Sequence, residues 1–227
     1  RPPRSLNKKF WNSEEKLHPE IKKVLLKIAN KIWEDMEHGD AKLVDITFTG
    51  SLTGTRWSEN SDVDLHLIVK FGKSGDKELT NSYFQNRSKI WNLEHDITIM
   101  GYPVEVYIQD EKQEHHSVGV YSLENDSWIT KKKPGEYAGF SDVSKKAKVL
   151  ARDIRRIERI IKKNPSQKNL DAASKMMEKL KKMRSTGLEK GGEGSAENLA
   201  YKALRRAGLL DKLRLASAHG YDELHSL

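Results

Sequence analysis

The chain contains no cysteine. That excludes disulfides, thiolate metal sites and cysteine nucleophiles, and it is compatible with a reducing compartment such as a cytoplasm. Also missing is any apolar stretch approaching the ~18 residues that cross a bilayer, so no membrane partner is expected. The opening Arg1-Pro2-Pro3-Arg4 is basic, but no apolar run follows, and it does not read as a secretory signal. An initiator Met is lacking, which predicts a fragment or a processed product. No internal repeat is visible. What is present is a polar chain of 227 residues, 36% hydrophobic and 33% charged. That length suits one domain, or a compact domain with a smaller appendage, and is enough to bury a substantial core.

Charge is unevenly distributed. Residues 1–130 hold 17 Lys/Arg and 21 Asp/Glu, a net of −4, whereas residues 131–227 hold 24 and 12, a net of +12. An acidic half fits metal use, and a basic half fits attraction to RNA or another polyanion. A set of well-solvated, Lys-rich helices would give the same count.

Hydrophobic spacing supplies the elements. The first fifteen or so residues read as an extended arm. Pro19 suits a first helical turn, and Ile21, Val24, Leu25, Ile28, Ile32 and Met36 recur at helical intervals. A strand follows at Leu43–Thr49, and a second leaves through Val63–Phe71. Gly72 to Asp76 reads as a turn. Leu79, Tyr83, Phe84, Ile90 and Trp91 mark an amphipathic helix. Asp96–Met100 and Val104–Gln109 form a hairpin turned at Gly101-Tyr102-Pro103, and Val118–Tyr121 a further short strand before a turn at Asn125-Asp126. Composition shifts at Lys131-Lys132-Lys133-Pro134-Gly135. Beyond it, Ala147, Leu150, Ile154, Ile157 and Ile161 form one helical stripe, broken at Asn164-Pro165. Leu170, Ala173, Met176, Met177, Leu180 and Met183 form another, read as core. Gly187 to Ser195 reads as a flexible linker, with one or two short helices closing the chain.

Chemistry concentrates between residues 50 and 105. Gly50-Ser51 follows the first strand, and Ser61-Asp62-Val63-Asp64-Leu65 opens the second ten residues later. A Gly-Ser turn offers backbone N–H groups and a hydroxyl to phosphate oxygens. Strand alternation sets Asp62 and Asp64 on one face, close enough to share a divalent cation. In Val104–Gln109 the same alternation sets Glu105, Tyr107 and Gln109 opposite the valines and Ile108, so pairing of the two strands would bring Glu105 near Asp64. Three carboxylates with open positions suit Mg²⁺ or Mn²⁺.

Gly-Ser, a nine-residue spacer and Ser-Asp-Val-Asp-Leu closely resemble the nucleotidyltransferase superfamily, whose polymerase-beta-like fold carries a third acid on a later strand. Gly54-Thr55 also resembles the segment after the Gly-Ser turn in oligoadenylate synthases, with spacing one residue shorter. The strand Val104–Ile108 is similar to the acidic strand of alarmone synthetases, which lack a matching Gly-Ser turn. The run from Thr49 to His66, with Tyr121-Ser122-Leu123 and Trp128, is similar to uncharacterised nucleotidyltransferase-like proteins of tailed bacteriophages. The motifs cover residues 43–110; Glu105 stands where many relatives have Asp.

The resemblance implies an α+β fold: a polymerase-beta-like small mixed sheet with flanking helices, followed by a helical C-terminal region. Residues 1–16 would be the arm, 17–130 the catalytic domain and 131–227 the basic helical region. It implies transfer of a nucleoside monophosphate from a nucleoside triphosphate, ATP among them, to a hydroxyl of RNA, a protein or a small molecule. Asp62, Asp64 and Glu105 would hold two Mg²⁺ or Mn²⁺ ions, and Gly50, Ser51, Arg56 and Ser61 would contact the nucleotide. A phage-encoded chain would act in the host cytoplasm or with the virion. Two alternatives are a catalytically silent nucleic-acid-binding or virion structural protein on the same fold, and an alarmone or cyclic-oligonucleotide synthetase.

Other residues read two ways. His66 either contacts a phosphate or orients a carboxylate, or simply packs or meets solvent, and Trp57 either stacks on a base or anchors the short helix. Arg152, Arg155, Arg156 and Arg159 either bind phosphates or form a solvated face. His115-His116, with Glu111 and Glu114, reads as a solvated turn without zinc-type spacing.

Overall fold

A computed structural model describes residues 5–72, 76–113, 117–131 and 138–227. Among these residues are six α-helices and a six-stranded mixed sheet, an α+β architecture. None of the helices is long and apolar enough to cross a membrane. The chain divides into two compact units, Arg1–Pro134 and Gly135–Leu227.

In the first unit, α1 (Pro19–Glu34) turns Ile21, Leu25, Ile28 and Ile32 inward. The strands are β1 (Lys42–Thr49), β2 (Val63–Lys70), β3 (Thr98–Ile99), β4 (Tyr102–Asp110), β5 (Gly119–Ser122) and β6 (Ser127–Lys131). Their order is β3-β4-β2-β1-β5-β6. β1 runs antiparallel to β2, and β2 runs parallel to β4. That parallel pair needs a crossover, which α2 (Lys77–Glu94) provides. Asp76 caps α2, its carboxylate accepting the Glu78 N–H at 2.7 Å. The inward side of α2 is Phe84, Ser88 and Trp91. Leu79, Tyr83 and Ile90, expected on that stripe, are instead exposed.

One apolar face of the sheet carries Phe48, Val63, Leu65, Leu67, Val106 and Ile108 into a single cluster with α1 and α2. Residues alternate across a strand, so Asp64 and His66 on β2, and Glu105, Tyr107 and Gln109 on β4, share the opposite face.

Three expectations are corrected. Residues 5–17 are not an extended arm. Phe10 and Trp11 are fully buried, and Trp11 stacks on Phe48 and Trp128 with centroids 5.7 and 4.6 Å away. Burying two such rings outweighs the cost of ordering the segment. The β3–β4 turn lies at Met100-Gly101, both at positive φ, and Tyr102 and Pro103 already belong to β4. β6 was not anticipated; it pairs antiparallel with β5 at the sheet edge.

The second unit contains α3 (Phe140–Lys163), α4 (Gln167–Gly191), α5 (Ala196–Arg206) and α6 (Leu209–His225). Leu150, Ile154, Ile161, Leu170, Met176, Leu180, Leu204 and Leu213 form its core, so the methionine stripe is packing. Gly187 lies inside α4 and is buried, and Gly192–Gly194 form a 3₁₀ turn, so this stretch is no flexible linker. The expected turn over Gly72–Asp76 falls partly, and His115-His116 and the Lys132–Gly135 shift fully, outside the described residues.

Candidate functional site

The site begins where β1 ends. Thr49 pairs with Asp64 across the antiparallel ladder. The chain then reverses at Gly50, φ +85°, into a 3₁₀ turn over Ser51–Thr53. A side chain is strained at that φ. A Cβ on Gly50 would also fall far too close to Asp64 Oδ2. Glycine is therefore what lets the Asp64 carboxylate lie directly against the turn.

The turn is held from several sides. The Gly50 N–H donates to Ser117 Oγ at 2.9 Å, and the Trp11 indole donates to the Leu52 carbonyl at 2.9 Å. Thr53 Oγ1 lies 2.7 Å from the Gly50 carbonyl and 2.9 Å from that of Gly119. Ser51 Oγ donates to Ser61 Oγ at 2.8 Å, and Ser61 Oγ accepts the Ser58 N–H at 3.0 Å. Ser61 is buried. Its part here is to hold Ser51 and close the loop between the turn and β2. Arg56 is half-buried in that loop. Trp57 donates to the Ser5 carbonyl at 2.9 Å and packs on the apolar cluster, which favours its anchoring role.

Parallel register sets Asp64 beside Glu105 and His66 beside Tyr107. Asp62, just before β2, completes the group. One carboxylate oxygen from each of Asp62, Asp64 and Glu105 lies within 4.8 Å of the other two, and all three residues are half-buried. Three carboxylates held this close repel one another, a cost that a bound cation would offset. An all-oxygen set that leaves room for water and substrate oxygens fits Mg²⁺ or Mn²⁺ better than softer metals.

Tyr107 was placed on this face by the sequence but given no part. Its hydroxyl donates to Glu105 Oε2 from two residues along the same strand. Burial, reinforced by the negative charges of Asp64 and Glu105, pushes its phenol far above the ordinary range, so it stays a proton donor. The i, i+2 spacing was the signal for this pair. His66 packs on Tyr107 with centroids 5.0 Å apart, and its Nδ1 lies 2.6 Å from Gln109 Oε1. His66 therefore sits in a side-chain ladder beside the carboxylates. In the second unit, Arg152, Arg155, Arg156 and Arg159 are all exposed along α3.

No protein-family model, curated protein or solved structure matches this chain. Any reading of the site rests on its own residues.

Proposed function

We propose that this chain is a metal-dependent nucleotidyltransferase on a polymerase-beta-like fold. The observation that carries the reading is the convergence of Asp62, Asp64 and Glu105 from adjacent parallel strands, directly against the Gly50 turn. A scaffold gains nothing from clustering repelling carboxylates beside a backbone loop.

Asp62 and Asp64 would hold the cations jointly, with Glu105 completing the set on the acceptor side. Bound there, Mg²⁺ or Mn²⁺ supplies charge neutralisation and acidifies an acceptor hydroxyl. The Gly50-Ser51 turn lets a triphosphate tail approach the backbone closely, and Ser51 offers its hydroxyl once it releases Ser61. In the reaction the acceptor hydroxyl gives its proton to solvent, its oxygen bonds to the α-phosphorus, the bond from that phosphorus to the bridging oxygen breaks, and pyrophosphate leaves. Tyr107 keeps Glu105 aimed at the cluster through its hydrogen bond.

Binding tests this reading before turnover does. Calorimetry with a non-hydrolysable triphosphate analogue is expected to show binding only when Mg²⁺ or Mn²⁺ is present. Binding indifferent to the metal, or none in its presence, would contradict it. Tyr107→Phe removes the donor to Glu105 while keeping the ring. Mn²⁺ affinity by calorimetry is expected to fall about tenfold with the fold unchanged; an unaltered affinity would rule out the positioning role.

A further inference from the structure

We propose that one face of α4 in the second unit is a binding surface for a nucleic-acid phosphate backbone. It does not depend on the acidic cluster being catalytic. The face borders a cavity of about 530 Å³ whose charged lining is Lys146, Lys179, Lys182 and Lys190 against Glu197 alone. Thr186 and Gly187 lie between the lysines on the same helix. Residues 179, 182, 186 and 190 recur at three- and four-residue steps, so they share one side of α4, with Gly187 beside them.

The hollow has a structural cause. A Cβ at Gly187 would lie 2.5 Å from Glu197 Cβ and 2.8 Å from Ser195 Oγ, so glycine is what admits the start of α5 here. That approach brings Glu197 to Lys146, and the two form an ion pair. The pair lowers the Glu197 carboxyl below its ordinary range, chiefly through the hydrogen bond from Lys146. The lining's one carboxylate is thereby matched by Lys146. Lys179, Lys182 and Lys190 remain as a row of like charge, all exposed.

Span identifies the ligand class. Lys179 and Lys190 are eleven residues apart, about 16 Å along a helix. A row of that length outruns the three phosphates of one triphosphate and suits the repeated phosphates of a strand. A second hollow of this unit is charge-balanced, with Lys181 and Arg214 lining it beside Glu178 and Asp222.

The test is fluorescence anisotropy of the full chain with a labelled mixed-sequence RNA of about 20 nucleotides across a salt series. The triple variant Lys179→Gln/Lys182→Gln/Lys190→Gln is expected to bind at least about tenfold more weakly. Its log–log salt slope should fall by about 2, from three lost phosphate contacts on a single strand. A control, Lys23→Gln/Lys27→Gln/Lys89→Gln, removes the same charge from exposed positions of the first unit and should leave binding near wild type. Thr186→Lys adds a charge inside the row and should tighten binding and steepen the slope. Equal losses in the two triple variants would overturn the proposal, as would a loss found only in Arg152→Gln/Arg155→Gln/Arg156→Gln/Arg159→Gln. Displacement of the RNA by poly-glutamate as readily as by polyphosphate would overturn it in favour of an acidic-peptide site.

Discussion

The Asp62→Asn/Asp64→Asn double variant is expected to lose nucleotidyl transfer by about a thousandfold or more, while its circular dichroism and unfolding midpoint hold or rise slightly. The two halves of that expectation have one cause. Both side chains keep their size, so the β1–β2–β4 ladder is undisturbed. Both lose the charge that would hold the cations, and transition-state charge at the phosphorus then goes unbalanced. Removing two of three like charges within 4.8 Å of one another relieves repulsion in the folded state. A transfer assay paired with chemical denaturation reads both; a variant that folds and transfers like wild type would place the chemistry elsewhere.

Gly50→Ala is expected to be nearly as damaging to activity, by a different route. The new methyl group meets Asp64 Oδ2 and forces the carboxylate out of line, and a displacement of about 1 Å can cost about a hundredfold in rate. The backbone at φ +85°, ψ −163° is a region nearly closed to other residues and adds about 1–3 kcal/mol of strain. Gly39→Ala separates the two effects. Gly39 is also left-handed, at φ +57°, but nothing lies within 4 Å of its added Cβ. It should lose only about 1 kcal/mol of stability and keep full transfer activity. Denaturant midpoints and initial rates on the two variants make the comparison, and equal activity losses would remove Gly50 from the site.

Much of the site was legible because strand geometry is local. Period-two alternation in Val63–Lys70 and Tyr102–Asp110 sorted the carboxylates from the valines, and only the partner of β2 had to be supplied. The helices of the second unit were legible for the same reason, their stripes being long and regular. Residues 5–17 were not legible. Phe10, Trp11 and Leu17 follow no period, and the two rings are buried by others far along the chain: Phe48, Tyr102, Tyr121 and Trp128. Gly187 misled because glycine-rich composition says linker, whereas its reason lies in Glu197 and Ser195 pressing against α4. The exposed Leu79 and Ile90 show the converse, with helical periodicity continuing past the side the sheet covers. Ser61, counted with the nucleotide contacts, lies beneath Ser51. Its hydroxyl type was readable, but its direction depends on how the loop closes.

The measurement that bears most directly on the central claim is transfer of label from each α-labelled nucleoside triphosphate by the wild-type chain. It is run with Mg²⁺ or Mn²⁺, to tRNA, total RNA, cell extract or no added acceptor. The account predicts covalent, metal-dependent label on one acceptor class with release of pyrophosphate. No label on any acceptor with either metal, from protein whose fold is intact, would contradict it.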